Sequence, residues 1–118
     1  MLAKNNRLNL KHKENQTMFV RGNSDFFASK NILFYYRPNQ DQGLKMAAVA
    51  AKRLFPKAVD RTQHKRLLYQ AFEELVSVNK LNFSDLNFDL IASYRSKKVT
   101  ISDLKTDFLS AFKHYEII

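Results

Sequence analysis

The sequence predicts a mixed α+β protein of one domain spanning residues 1–118. Three observations predict it. Two segments, 31–37 and 88–95, are β-branched and aromatic and read as strands. Two longer segments, one from about Pro56 to Val78 and one ending the chain, carry apolar side chains at helical spacing. Only two Gly and two Pro occur, and 45% of residues are apolar, so the chain has a core and no linker-rich stretch.

The elements follow in order. Residues 11–21, "KHKENQTMFVR", form a short first helix. "NILFYYR", 31–37, is a strand, and "PNQDQG", 38–43, is a turn by its Pro, Asn, Asp and Gly. "LKMAAVAA", 44–51, is a strand, although Ala suits a helix equally. In "FDLIASYR", 88–95, Phe88, Leu90, Ala92 and Tyr94 alternate with Asp89, Ile91, Ser93 and Arg95, which places the two sets on opposite faces of a strand. The terminal helix takes Ser102 as its N-cap, has Asp103 in its first turn, and buries a stripe of Leu104, Phe108, Ala111, Phe112 and Tyr115.

No Cys is present, which excludes disulfides and thiolate chemistry. No stretch approaches the roughly 18 apolar residues of a membrane span, and the N-terminus is polar without an apolar leader. A soluble, cytoplasmic protein is expected, monomeric and without a membrane partner.

Charge is the most informative feature. Lys and Arg number 20 against 11 Asp and Glu, a formal net charge of +9. The excess is concentrated: residues 1–22 hold five bases and one acid, residues 45–66 hold seven and one, and the remainder is close to neutral. Charge placed for solubility mixes both signs over a surface. Two concentrated patches point to a polyanion, nucleic acid first.

The second patch, "KRLFPKAVDRTQHKR" at 52–66, lies where the long helix begins, with Pro56 in a first-turn position. At 100° per residue Lys57, Arg61 and Lys65 share one arc with Leu68, Phe72 and Leu75. Burying unpaired charges is costly. The first turns must therefore overhang the core or bend away from it, and turn their bases to solvent or to a partner. Cations beside a helix N-terminus also oppose its partial positive charge, a cost that an anionic ligand offsets. His64 reads as padding on the helix face.

These residues carry a resemblance. "KRLFPKAVDRTQHKRLLYQAFEEL" resembles the signature of the bacterial ribonuclease P protein component, through Lys52, Arg53, Phe55, Lys57, Ala58, Arg61, Lys65 and Arg66. "RL" at 7–8, "FVRG" at 19–22 and "NILFYYRPN" at 31–39 look like the family's N-terminal helix and first strand. "FDLIASYRSKKVTISDLKTDFLSAF" looks like its last strand and helix. The resemblance covers roughly residues 7–116, in order and at nearly the family spacing. It implies a two-layer α/β sandwich of α-β-β-β-α-β-α order, ribosomal-protein-like, with a left-handed βαβ crossover against the usual hand.

The resemblance also implies a function. The protein would be a subunit of the ribonuclease P ribonucleoprotein, partnered by the catalytic RNA and by precursor tRNA. The RNA, with bound magnesium, would hydrolyse the precursor. The protein itself would hold no cofactor, no metal and no catalytic residue. Lys52, Arg53, Lys57, Arg61, Lys65 and Arg66 would contact RNA phosphates, while Phe19 and Tyr35 would line a cleft for the 5′ leader. The plain alternative for Phe19 and Tyr35 is core filling.

Several positions depart from the family pattern. Thr62 stands for the usual Asn, Gln63 for a base, and Pro56 and Ala48 for glycines. Asn15 stands where an aromatic usually contributes to the cleft, so an aromatic there should tighten leader binding.

No nuclease chemistry is visible. His12, His64 and His114 have no ligand-type spacing, and there is no phosphate-cradling Gly-rich loop. Glu73 with Glu74, and Asp103 with Asp107, read as solvated faces. The competing readings are a generic RNA-binding or ribosome-associated α/β module and a protein-only endonuclease using two of the histidines.

Overall fold

The computed structural model describes residues 6–19, 22–40, 43–82 and 85–118. Val20 and Arg21 of the expected first helix, and Asp41 and Gln42 of the expected turn, lie outside these residues, as does Lys4 of the N-terminal basic segment. The elements are helix α1 (Lys13–Gln16), strands β1 (Asp25–Ala28), β2 (Ile32–Pro38) and β3 (Lys45–Val49), helix α2 (Ala58–Val78), strand β4 (Phe88–Tyr94) and helix α3 (Ile101–His114). This is the expected α-β-β-β-α-β-α order.

The four strands form one sheet in the order β1-β2-β4-β3. β4 is antiparallel to β2, pairing Tyr35 with Ile91 and Arg37 with Asp89, and parallel to β3, pairing Ala47 with Ile91. A parallel pair needs a long crossover, and α2 supplies it between β3 and β4.

The alternation expected for β4 holds, but both of its faces are covered. Phe88, Leu90, Ala92 and Tyr94 join the main core with Ile32, Phe34, Met46, Leu68, Phe72, Phe108 and Phe112, under α2 and α3. On the opposite face Ile91 is buried in a second cluster with Leu8, Met18 and Ala47. Period-2 patterning sorts side chains by face without saying which face meets water.

Four local readings change. The residues of β1 carried no strand reading, although the family order implies three strands before the long helix, and "NILFYYRPN" forms the second strand and not the first. It pairs with β1 through Phe26–Tyr35 and Phe27–Phe34. The first helix is a single turn continued by a 3-10 turn over Thr17–Phe19. It is short because its side chains bond backward: Asn15 Nδ2 donates to Asn9 O at 2.7 Å and Gln16 Nε2 to Leu10 O at 2.9 Å. α2 starts at Ala58, two residues after Pro56, with Lys57 as N-cap. The N-cap of α3 is Thr100, two residues before the expected Ser102: Asp103 N–H donates to the Thr100 hydroxyl and Thr100 N–H to the Asp103 carboxylate, at 3.2 and 3.0 Å.

Asp107, expected on a solvated face, is only 4% exposed. Its carboxylate accepts the Asn31 N–H at 3.3 Å, tying α3 to the β1–β2 turn. Burial raises its pKa, partly opposed by hydrogen bonds from Asn31 and Ser29. A raised folded pKa means that the folded state binds more protons, so this contribution to stability is present in acid and lost as pH rises through that pKa. Asp107→Asn keeps an acceptor for Asn31 and removes the charge. Urea denaturation from pH 4 to 7 should therefore show a smaller fall in stability with rising pH than the native chain. An unchanged pH profile would show that Asp107 is not the group responsible.

Candidate nucleic-acid interface

The first ten residues of α2 include none that is fully buried, whereas Leu68, Ala71, Phe72 and Val76 are. The helix therefore overhangs the core at its N-terminus, as the mixed stripe required. Lys52, Arg53, Lys57, Lys65 and Arg66 are exposed, and Val59 among them is 61% exposed.

Arg61 differs from the rest. It is half-buried, and its Nη1 donates to the carbonyls of Phe55 and Pro56, both at 2.9 Å. Lys57 as N-cap makes no side-chain cap. Arg61 thus binds the loop entering the helix and is held in one orientation. A guanidinium has five donors in a fixed fork, so those on its other nitrogens remain for a phosphate. Thr62 Oγ1 donates back to Ala58 O at 3.2 Å.

The platform beneath this patch is aromatic. Phe55 is buried against His64 (ring centroids 4.1 Å apart) and Tyr94 (5.3 Å). The Tyr94 hydroxyl donates to His64 O at 2.7 Å, and burial pushes its pKa well above the ordinary range. His64 does pad the helix face. The other two histidines lie elsewhere: His12 is exposed beside α1, and His114 stacks on Phe27 at 4.4 Å. Among the described residues no three His, Asp or Glu side chains gather to hold a metal ion. No helix formed by the described residues is long and apolar enough to cross a membrane.

The second candidate surface is the sheet face away from α2 and α3. Alternation along β2 sends Phe34 into the main core and Tyr35 to this face. The Tyr35 ring is met edge-on by Phe19 at 5.0 Å and by Phe26 at 5.4 Å. Phe19 is 43% and Phe26 55% exposed. The structure thus brings Phe19 and Tyr35 together and adds Phe26. Sequence reading missed Phe26 because it lies on β1, a strand implied by the family order but not located along the sequence. The adjacent Phe26–Phe27 pair held the signal, since neighbouring strand residues point to opposite faces.

One strand pitch from Tyr35 the same face becomes polar. Arg37 donates to the Asp89 carboxylate at 2.7 Å, to Asn15 Oδ1 at 3.1 Å and to Glu14 O at 3.1 Å. Asn39 Nδ2 donates to the other Asp89 oxygen at 3.0 Å. These groups, with Arg7, His12 and Lys45, line a cavity of about 480 Å³ between α1 and the sheet. Asn15, the departure from an aromatic, thus belongs to a network that fastens α1 to β2.

Asp89 is 4% exposed, and removing one member of a buried ion pair strands the other. Arg37→Ala should cost about 3 kcal/mol in urea denaturation. Adding Asp89→Asn to it should recover part of that loss, because the stranded charge is gone. A single variant as stable as the native chain would show that the pair does not fasten α1.

A sequence model described as Ribonuclease P matches residues 2–116. Among solved structures, the chain is similar to the RNase P protein from Thermotoga maritima at 19% identity, covering 92% of this chain and 96% of that one, with a TM-score of 0.71. It is also similar to the Staphylococcus aureus RNase P protein at 19% identity, covering 94% and 95%, with a TM-score of 0.67. The curated proteins contain no match.

Proposed function

The chain belongs to the Ribonuclease P family, and from that premise we propose that it binds the catalytic RNA of ribonuclease P and the 5′ leader of precursor tRNA, promoting endonucleolytic 5′ maturation. The observation that carries the reading is the pairing of two surfaces on one small fold. A basic helix start overhangs the core, and an exposed aromatic group lies on the open sheet face.

Each surface suits a different form of RNA. Arg53, Lys57, Lys65 and Arg66, with Lys52 and the anchored Arg61, offer charge without bases to read, which suits a phosphate backbone. Each phosphate neutralised releases counterions, so five or six contacts give a log–log salt slope of roughly −4 to −5. Phe19, Phe26 and Tyr35 offer ring faces and edges to unpaired bases, as single-stranded RNA requires. The hydrolysis is assigned to the RNA and its magnesium. The protein's share is to hold the substrate leader against the RNA and to neutralise charge between the two.

Reconstitution tests this. Cleavage of a precursor tRNA with a 5′ leader, at low magnesium and with ribonuclease P RNA from the same genome, should need the RNA and be enhanced by the protein. Cleavage by the protein alone would establish a protein nuclease. RNA binding without effect on processing would establish a generic RNA-binding module.

The leader surface has its own test. Tyr35→Ala and Phe26→Ala should each weaken binding of long-leader precursors by about five- to a hundredfold, the equivalent of ~1 to 3 kcal/mol for one lost stack. Affinity for the RNA subunit alone should stay the same. Equal losses for leaderless and long-leader substrates would place these rings outside the leader site.

A further inference from the structure

The sheet end where β3 and β4 finish carries more positive charge than the α2 signature supplies. The two strands are parallel, so the chain leaves both at the same end, after Val49 and after Tyr94. The β1–β2 turn lies there too: Arg95 N–H donates to Asn31 O at 2.8 Å, and Arg95 Nη1 to Ser29 O at 2.9 Å. Phe55 against Tyr94 brings the loop before α2 to the same place.

Three separate stretches therefore deliver cations to one rim. Lys52, Arg53 and Lys57 come from the loop after β3, Arg95, Lys97 and Lys98 from the loop after β4, and Lys30 from the turn. All seven are exposed, and none forms an ion pair among the described residues. At ~4.8 Å between neighbouring strands, β2, β4 and β3 end within about 10 Å of one another.

The acids nearby are already engaged. Asp60 sits in the first turn of α2, where its charge faces the helix N-terminus. Asp103 caps α3, and its hydrogen bonds to Thr100, followed by the charge of Lys30, hold its carboxyl below the usual range. Asp107 is buried. Such a concentration of like charge is unfavourable without a counterion.

We propose that Lys30, Arg95, Lys97 and Lys98 extend the α2 patch into a continuous rim that grips the backbone of a double-helical RNA segment. Its identification with the RNA subunit rests on the function proposed above. The exposed Phe side chains among the described residues, Phe19 and Phe26, lie on the open sheet face, while the exposed apolar side chain beside the rim, Val59, has no ring to stack. A surface of cations without stacking rings suits paired RNA, whose bases are hidden and whose phosphates are not.

The test compares two variants of equal net charge. Lys97→Gln/Lys98→Gln alters the rim. Lys80→Gln/Lys113→Gln alters the far end, where α2 and α3 finish. Arg95 is left intact because it holds the turn. Binding to ribonuclease P RNA is measured as a function of salt, with circular dichroism confirming that both variants fold.

The rim variant should lower the steepness of the salt dependence by about 1.5 and weaken binding about tenfold near physiological salt. The far-end variant should bind within about twofold of the native chain. The ratio of affinities for long- and short-leader precursors should not change in either. Rim and far-end variants that behave alike would overturn the proposal, as would a change in the leader ratio confined to the rim variant. A native chain that fails to bind ribonuclease P RNA would instead overturn the function on which the proposal rests.

Discussion

Strand β4 must be buried on both of its faces, and the rest of the molecule follows from how that is done. Its position between β2 and β3 gives it two hydrogen-bonded neighbours. Helices α2 and α3 close one face, over Phe88, Leu90, Ala92 and Tyr94. Among the described residues no third long helix closes the other. The N-terminal segment covers it instead, with Leu8 and Met18 over Ile91. That cover is narrow, and it leaves the neighbouring strip of sheet, with Tyr35 and Phe26, partly exposed.

Covering the second face with so short a segment puts a carboxylate inside. Asp89 follows Phe88 in the strand and so points the other way, beneath α1. A buried carboxylate requires partners, and Arg37 on β2 and Asn39 after it provide them. Arg37 reaches on to Asn15 and Glu14, so the group that neutralises Asp89 also sets where α1 sits. The distance between α1 and the sheet is thereby held by polar contacts at one end and by Leu8 and Met18 at the other. The aromatic group and the polar network share one face of the sheet.

The same strand organises the charge. Because β4 runs parallel to β3, the loops that follow them emerge together, and α2 and α3 both begin at that end of the sheet. Helix N-termini add positive potential to a rim already rich in Lys and Arg. Seven exposed cations thus gather at one end, while the carboxylates Glu74 and Asp89 are paired with Lys105 and Arg37 elsewhere.

The sequence by itself determined strands β2 and β4, helices α2 and α3, the alternation of β4 and the unburied basic start of α2. Each is a local periodicity or a local mixture of charge and apolar residues, readable without neighbours. It also carried the family signature through Lys52 to Arg66. Tertiary structure decided what depends on pairing. Four residues of β1, Asp25–Ala28, become a strand because β2 offers an edge, and Phe26 joins the aromatic site only through that pairing. Asp107 is buried because the β1–β2 turn needs its carboxylate, a contact 76 residues distant in sequence. The stretch 67–118, near neutral when counted along the chain, contributes Arg95, Lys97 and Lys98 to the most basic end of the fold. Charge summed along a sequence window cannot show this, because the Coulomb field follows distance in space, and the parallel register of β3 with β4 sets those distances.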